Sequence, residues 1–315
     1  MTLRSALLTS AFPLTDPPTP SPTPSSLARL LKDNPQLAEQ LATEATTSRP
    51  NSALWSCLAL AVVVAAWFLL KHRARRGGRA LRAYGKLDPW VQALRSWLSA
   101  APVTFVYVAT WTVTTVIFQG TPTTLAGVLN RFNSTNIMGI VTEPVRVLFT
   151  SAFIVADYGF FFLGYVAVFL LVITRLEQRI GSARVVLVGA GAHVLGSLLI
   201  VALESVLIRA ERLSPATVVT QDVGVSYVMV GCAGAYLFLV GRSLRWWYAV
   251  GLFVAIVLPL LVLQTIWDLG HFLATVCGMG IFLLLRRWGL RPAMKWRKVA
   301  AGLEPRPLPT WPTTI

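Results

Sequence analysis

The chain has 315 residues, of which 55% are apolar and only 13% charged, with a mean hydropathy of +0.63. Soluble domains carry about 25% charged residues, so this composition excludes an ordinary soluble protein, and its unbroken apolar runs exclude an outer-membrane barrel of alternating strands. The formal charge of +15 reads as basic loops on one side of a bilayer rather than as a nucleic-acid footprint, so no nucleic-acid partner is expected.

In chain order, residues 1–52 read as a disordered arm, because six prolines between Pro13 and Pro24 cannot build a packed core. Within it, Leu27, Leu30, Leu31, Leu37 and Leu41 form the apolar side of a possible short amphipathic helix over residues 26–44. An extra transmembrane helix follows at 53–70, then a basic segment at 71–100. A six-helix core is predicted over 101–286, with spans at about 101–118, 147–174, 185–208, 223–241, 246–264 and 267–285, and a basic tail occupies 287–315. Residues 119–146 are expected to form one long loop, which holds an Asn133-Ser134-Thr135 sequon. The fold class is therefore all-α: a polytopic membrane protein with six core helices and one added at the N-terminal side.

Orientation follows from the basic residues of the connections. Twenty Lys and Arg fall in 71–100, 175–184, 242–245 and 286–315, against eight in the arm and in the loops 119–146 and 208–222. The twenty belong in the cytoplasm, which places the N-terminus outside and the C-terminus inside. Arginine outnumbers lysine 23 to 5, a bias of GC-rich bacterial genomes, so the expected location is a bacterial plasma membrane. Cys57, Cys232 and Cys277 all lie in apolar segments without CxxC spacing, which supports neither a disulfide framework nor a zinc site.

Ionisable groups inside spans are costly, so each one requires an explanation. Asp157 lies within the third span as either a functional acid or a structural partner. Glu204 is expected to form an interfacial ion pair with Arg209 and Arg212. His193, in Gly189-Ala190-Gly191-Ala192-His193, reads as a packing histidine among small residues that suit close helix contact. Ser226 and His271 stand apart. Each begins a span that runs inward from the outer face, so a hydroxyl and an imidazole share one depth, and neutral imidazole is the usual base for activating a hydroxyl.

Several segments together resemble the rhomboid family of intramembrane serine proteases. Arg146-Val147-Leu148-Phe149-Thr150-Ser151-Ala152-Phe153 resembles the segment leading into the family's second core span. Leu176-Glu177-Gln178-Arg179-Ile180-Gly181-Ser182-Ala183-Arg184 is similar to its turn between core spans two and three. Gly224-Val225-Ser226 resembles the start of the GxSG motif, and His271 with Ala274 and Gly278 resembles the histidine and small-residue ladder of core span six. The resemblance implies Ser226 as nucleophile, His271 as its base, and Gly224, Ala274 and Gly278 as the close-packing positions of the dyad helices. It implies no cofactor and no metal, and transmembrane proteins in the lipid bilayer as substrates. Three departures leave an alternative open, a catalytically inactive pseudoprotease that binds transmembrane clients. Tyr227 follows the serine in place of glycine, and Val230 stands where an aromatic ring often packs on the histidine. Phe161 and Tyr165 occupy the positions of the family's oxyanion His and Asn, which leaves Tyr165 as the candidate replacement donor, with Tyr158 the alternative.

Overall fold

The computed structural model describes residues 51–155 and 161–288, with Lys32 and Pro35. The rest of the proline-rich arm with its proposed helix, Asp157, Tyr158 and the tail from 289 lie outside the described residues. Among the described residues the chain is helical and holds no strand. The helices are α1 (Ser52–Ala74), α2 (Gly78–Ser99), α3 (Pro102–Gln119), α4 (Thr123–Phe132), α5 (Ile137–Thr142), α6 (Pro144–Ser151), α7 (Phe161–Ile180), α8 (Ser182–Arg209), α9 (Val225–Tyr236), α10 (Arg242–Val262) and α11 (Ile266–Arg287). Six of them, α1, α3, α7, α8, α10 and α11, are long and apolar enough to cross a membrane. The protein is an all-helical polytopic membrane protein.

Two expectations change. The stretch 119–146 is not one loop: α4 and α5 lie within it and α6 follows directly. The span drawn at 147–174 is split, since Ser151 ends α6 and the described spanning helix begins at Phe161. The reason lies in side-chain pinning. Asn136 caps α5 by accepting from the Gly139 amide at 2.8 Å, and Arg146 pairs with Glu143 while its guanidinium sits 3.8 Å over the Phe132 ring. These contacts fold the segment into short helices, although its apolar content reads as the start of a span.

The core is organised by a buried carboxylate. Glu177, near the end of α7, is 1% exposed. It accepts from the amides of Val103 (3.1 Å) and Thr104 (2.7 Å), from Thr104 Oγ1 (2.6 Å) and from Ser182 Oγ (2.5 Å). The first N–H groups of a helix have no intrahelical acceptor, so a carboxylate there satisfies donors and complements the helix dipole. Gly181 then reverses the chain with no intervening loop; its φ of 86° is a conformation that a Cβ disfavours. At the opposite end of α3, the Gln119 side-chain oxygen accepts from the Ala53 amide (3.0 Å) and Ser52 Oγ (3.1 Å), which ties the start of α1 to the end of α3.

Three helices, α8, α9 and α11, form the tightest part of the bundle. Glycine and alanine line their contacts: a Cβ at Gly278 would stand 2.2 Å from the Gly231 carbonyl oxygen, and one at Gly231 would stand 2.2 Å from the Ala192 Cβ. Such close backbone approach is how helices associate where lipid offers no hydrophobic driving force. In α10, Pro259 lacks the N–H that would continue the ladder, and the turn Phe253–Val257 widens to π geometry just before it.

Candidate functional site

Helix α9 has 12 residues and is about 18 Å long, well short of the roughly 30 Å of bilayer hydrocarbon. It is correspondingly enclosed by its neighbours, with nine of its residues buried. Its N-terminus is sunk into the bundle. Gly224, the residue before α9, lies against the His193 ring on α8, and a Cβ at 224 would stand 2.1 Å from that ring. His193 is near the middle of the 28-residue α8, so Ser226 begins about halfway along that helix. The span expected at 223–241 is thus a short interior helix, with the serine in its first turn. Periodicity could not reveal this, because the length of α9 is set by where the incoming loop is held.

The loop is held by hydrogen bonds from two directions. The Gly224 amide donates to the Ser151 carbonyl (2.9 Å), the Asp222 amide to Ser134 Oγ (3.0 Å) and the Thr135 amide to the Asp222 carbonyl (2.9 Å). Thr135 Oγ1 donates to the Asp222 carboxylate at 3.0 Å. Desolvation pushes the Asp222 carboxyl up to about 6, and the Thr135 hydrogen bond acts against that rise. On the other side, Trp267 Nε1 donates to the Gln221 carbonyl (2.9 Å), which joins this loop to the start of α11. Helix α11 is itself started by a capping box in which Thr265 and Asp268 satisfy each other's amides at 3.1 and 3.2 Å.

Contacts between α9 and α11 set their register. Tyr227 lies against Gly270, Gly231 against Ala274 and Gly278, and Gly234 against Thr275 and Met279. Both numbers rise together, so the two helices are parallel. Ser226 and His271 flank the Tyr227–Gly270 contact and fall within about 3 Å of one level. Both are half-buried. Ser226 Oγ donates to the Val223 carbonyl at 3.5 Å, the outer limit of a hydrogen bond. His271 meets the Tyr227 ring edge-on, with centroids 5.5 Å apart and planes at 79°.

Each of the other expected positions has a definite place. Ala274 and Gly278 are at the α9–α11 crossing, and Ala274 also meets Gly196 of α8. Gly224 faces α8 rather than α11. Tyr165 is half-buried on α7 and packs on the apolar cluster that includes Phe162, Phe169 and Val225, the neighbour of Ser226. Val230 is buried in a second cluster with Tyr227 and Ala274. Glu204 is buried and forms no ion pair with Arg209 or Arg212. His193 is buried, with Nε2 2.9 Å from the Leu148 carbonyl and 3.2 Å from Ser151 Oγ. A nitrogen facing a carbonyl must carry the proton, so this histidine cannot be a base for Ser151.

Sequence reasoning passed over Gly270. Tyr227 replaces a glycine of the motif, and its bulk is taken up across the interface: a Cβ at Gly270 would stand 1.8 Å from the Tyr227 hydroxyl oxygen. The only signal was a glycine next to His271, and nothing in one sequence says which helix that glycine faces.

A six-helix membrane core, α3 and α7–α11, with a short buried helix carrying a serine beside a parallel helix carrying a histidine, defines a rhomboid-type protein. The family described as rhomboid-like protein matches residues 96–289, more than half of the chain, and the chain belongs to that family. No curated protein and no solved structure matches it.

Proposed function

We propose that the chain is a rhomboid-type intramembrane serine protease that cleaves transmembrane substrates with a Ser226–His271 dyad. The observation that carries this reading is the placement of both residues at one level on two parallel helices, with the bulk of Tyr227 absorbed by Gly270. Ser226 Oγ attacks the scissile carbonyl carbon while His271 takes its proton. The C–N bond then breaks, and the imidazolium gives that proton to the leaving amine. Water, deprotonated by His271, hydrolyses the acyl-serine, and the proton returns to Ser226. Charge on the carbonyl oxygen is met by the Ser226 amide at the N-terminus of α9 and by the Tyr165 phenol as second donor. The setting is a bacterial plasma membrane, with the arm outside and the tail in the cytoplasm.

A serine-directed fluorophosphonate should label the detergent-solubilised wild type, and Ser226→Ala and His271→Ala should each abolish labelling without adding to one another. Tyr165→Phe should lower turnover of a transmembrane substrate by about 10²-fold with little change in thermal stability. Unchanged turnover removes Tyr165 from the mechanism. The second reading is a pseudoprotease that binds transmembrane clients, supported by the weak Ser226–Val223 contact and by the apolar packing of Tyr165. No labelling of a well-folded wild type decides in its favour.

A further inference from the structure

Helix α2 lies almost entirely outside the family match, and its chemistry is unlike that of the spans. It carries Arg79, Arg82, Lys86 and Arg95 against the single acid Asp88. At 100° per residue, Arg79, Arg82 and Lys86 fall on one flank of an apolar stripe that includes Leu87 and Leu94. These three cations are exposed, and the two leucines remain 48% and 43% exposed.

Both ends of α2 are fixed at the same face of the bundle. At its start, Tyr84 stacks on Trp67 at 5.1 Å, close to where the apolar run of α1 gives way to Lys71, His72 and Arg73. At its end, Gln178 Nε2 donates to the Trp97 carbonyl (3.3 Å) and Trp97 packs edge-on against Phe105 at 5.5 Å. These last contacts involve the start of α3 and the end of α7, the ends opposite to the Gln119 junction with Ser52. The start of α3 and the end of α1 therefore share one membrane face. A helix of 22 residues, about 33 Å long, pinned at that face at both ends lies along the membrane surface rather than across it.

We propose that α2 is an interfacial anchor whose apolar stripe enters the bilayer and whose Arg79, Arg82 and Lys86 bind anionic phospholipid headgroups. The occupant follows from charge complementarity and from continuity with α1, which brings the membrane surface to within four residues of Gly78. Basic residues beside an embedded apolar stripe are the physical signature of surface-lying helices, and each cation near an anionic surface contributes about fivefold to affinity.

The test titrates the full chain in neutral detergent with phosphatidylglycerol or phosphatidylcholine of identical acyl chains, with retained lipid counted by native mass spectrometry. The wild type should retain phosphatidylglycerol preferentially. Arg79→Gln/Arg82→Gln/Lys86→Gln should weaken that retention at least tenfold and leave phosphatidylcholine unchanged. Equal phosphatidylglycerol retention in wild type and triple variant overturns the proposal. A second arm places a nitroxide at Leu87→Cys, in a Cys57→Ser/Cys232→Ala/Cys277→Ala background, in vesicles of phosphatidylcholine and phosphatidylglycerol. The label should relax with dissolved oxygen and be shielded from an aqueous nickel chelate. Full exposure to the chelate overturns the proposal and assigns the basic face to a soluble partner. The lipid-retention arm keeps the native cysteines and stands without the second.

Discussion

Tyr227 places a phenol where the GxSG pattern has a glycine, and the consequence depends on what faces it. The ring lies between His193 and His271, at centroid distances of 6.2 and 5.5 Å, and the hydroxyl rests on Gly270. An aromatic ring therefore packs on His271 even though Val230 cannot supply one. This exchange of bulk between helices predicts non-additive mutational effects. Gly270→Ala alone should destabilise the detergent-solubilised protein by about 1–3 kcal/mol, the usual cost of overpacking. Combined with Tyr227→Ala it should cost much less than the sum of the two single changes, since the second change removes the atoms the first one meets. Thermal unfolding of the four proteins measures the cycle, and strict additivity would show that the two side chains do not share the space.

At the scale of elements, Glu177 does what its sequence context only hinted. The turn from Leu176 to Arg184 is one of the segments that carried the family resemblance, and the structure gives its physical reason: one buried carboxylate caps α3 and fastens α8 to α7. Removing it leaves the Val103 and Thr104 amides and two hydroxyls without their acceptor, each unsatisfied buried group costing about 1–3 kcal/mol. Glu177→Ala should lower the midpoint of thermal unfolding sharply. Glu177→Gln, which keeps the shape and one carbonyl acceptor, should fall between it and the wild type. A Glu177→Ala protein as stable as the wild type would mean that α3 is held by its apolar packing alone. The shortness of α9 belongs to this scale too. Its start is decided by the Gly224–Ser151 and Asp222–Thr135 hydrogen bonds, which join residues far apart in sequence.

For the whole molecule, the partition of basic residues predicts the orientation. The turn between α9 and α10 should face the cytoplasm, and the loop between α8 and α9 should face outward. Ser214, in the loop between α8 and α9, and Ser243, in the first turn of α10, are both exposed, so they suit an accessibility test. On intact cells an impermeant maleimide should label Ser214→Cys and not Ser243→Cys. The opposite pattern would invert the topology and place the basic face of α2 on the outer leaflet.

Composition and apolar run length alone established a polytopic helical membrane protein, because the transfer of long uncharged segments into lipid depends on local content and little else. The positions of α1, α3, α8, α10 and α11 were legible for the same reason to within a few residues. That Ser226 and His271 share one level was legible as a pattern as well. Three things were not. The broken entry into α7 and the helices α4 and α5 depend on capping and ion-pair geometry that hydropathy does not record. The start of α9 depends on hydrogen bonds to Ser134, Thr135 and Ser151 from another part of the chain. The accommodation of Tyr227 depends on Gly270, 43 positions away. The first rests on short-range side-chain geometry; the other two are contacts between segments distant in sequence, and only the tertiary structure decides which distant segments meet.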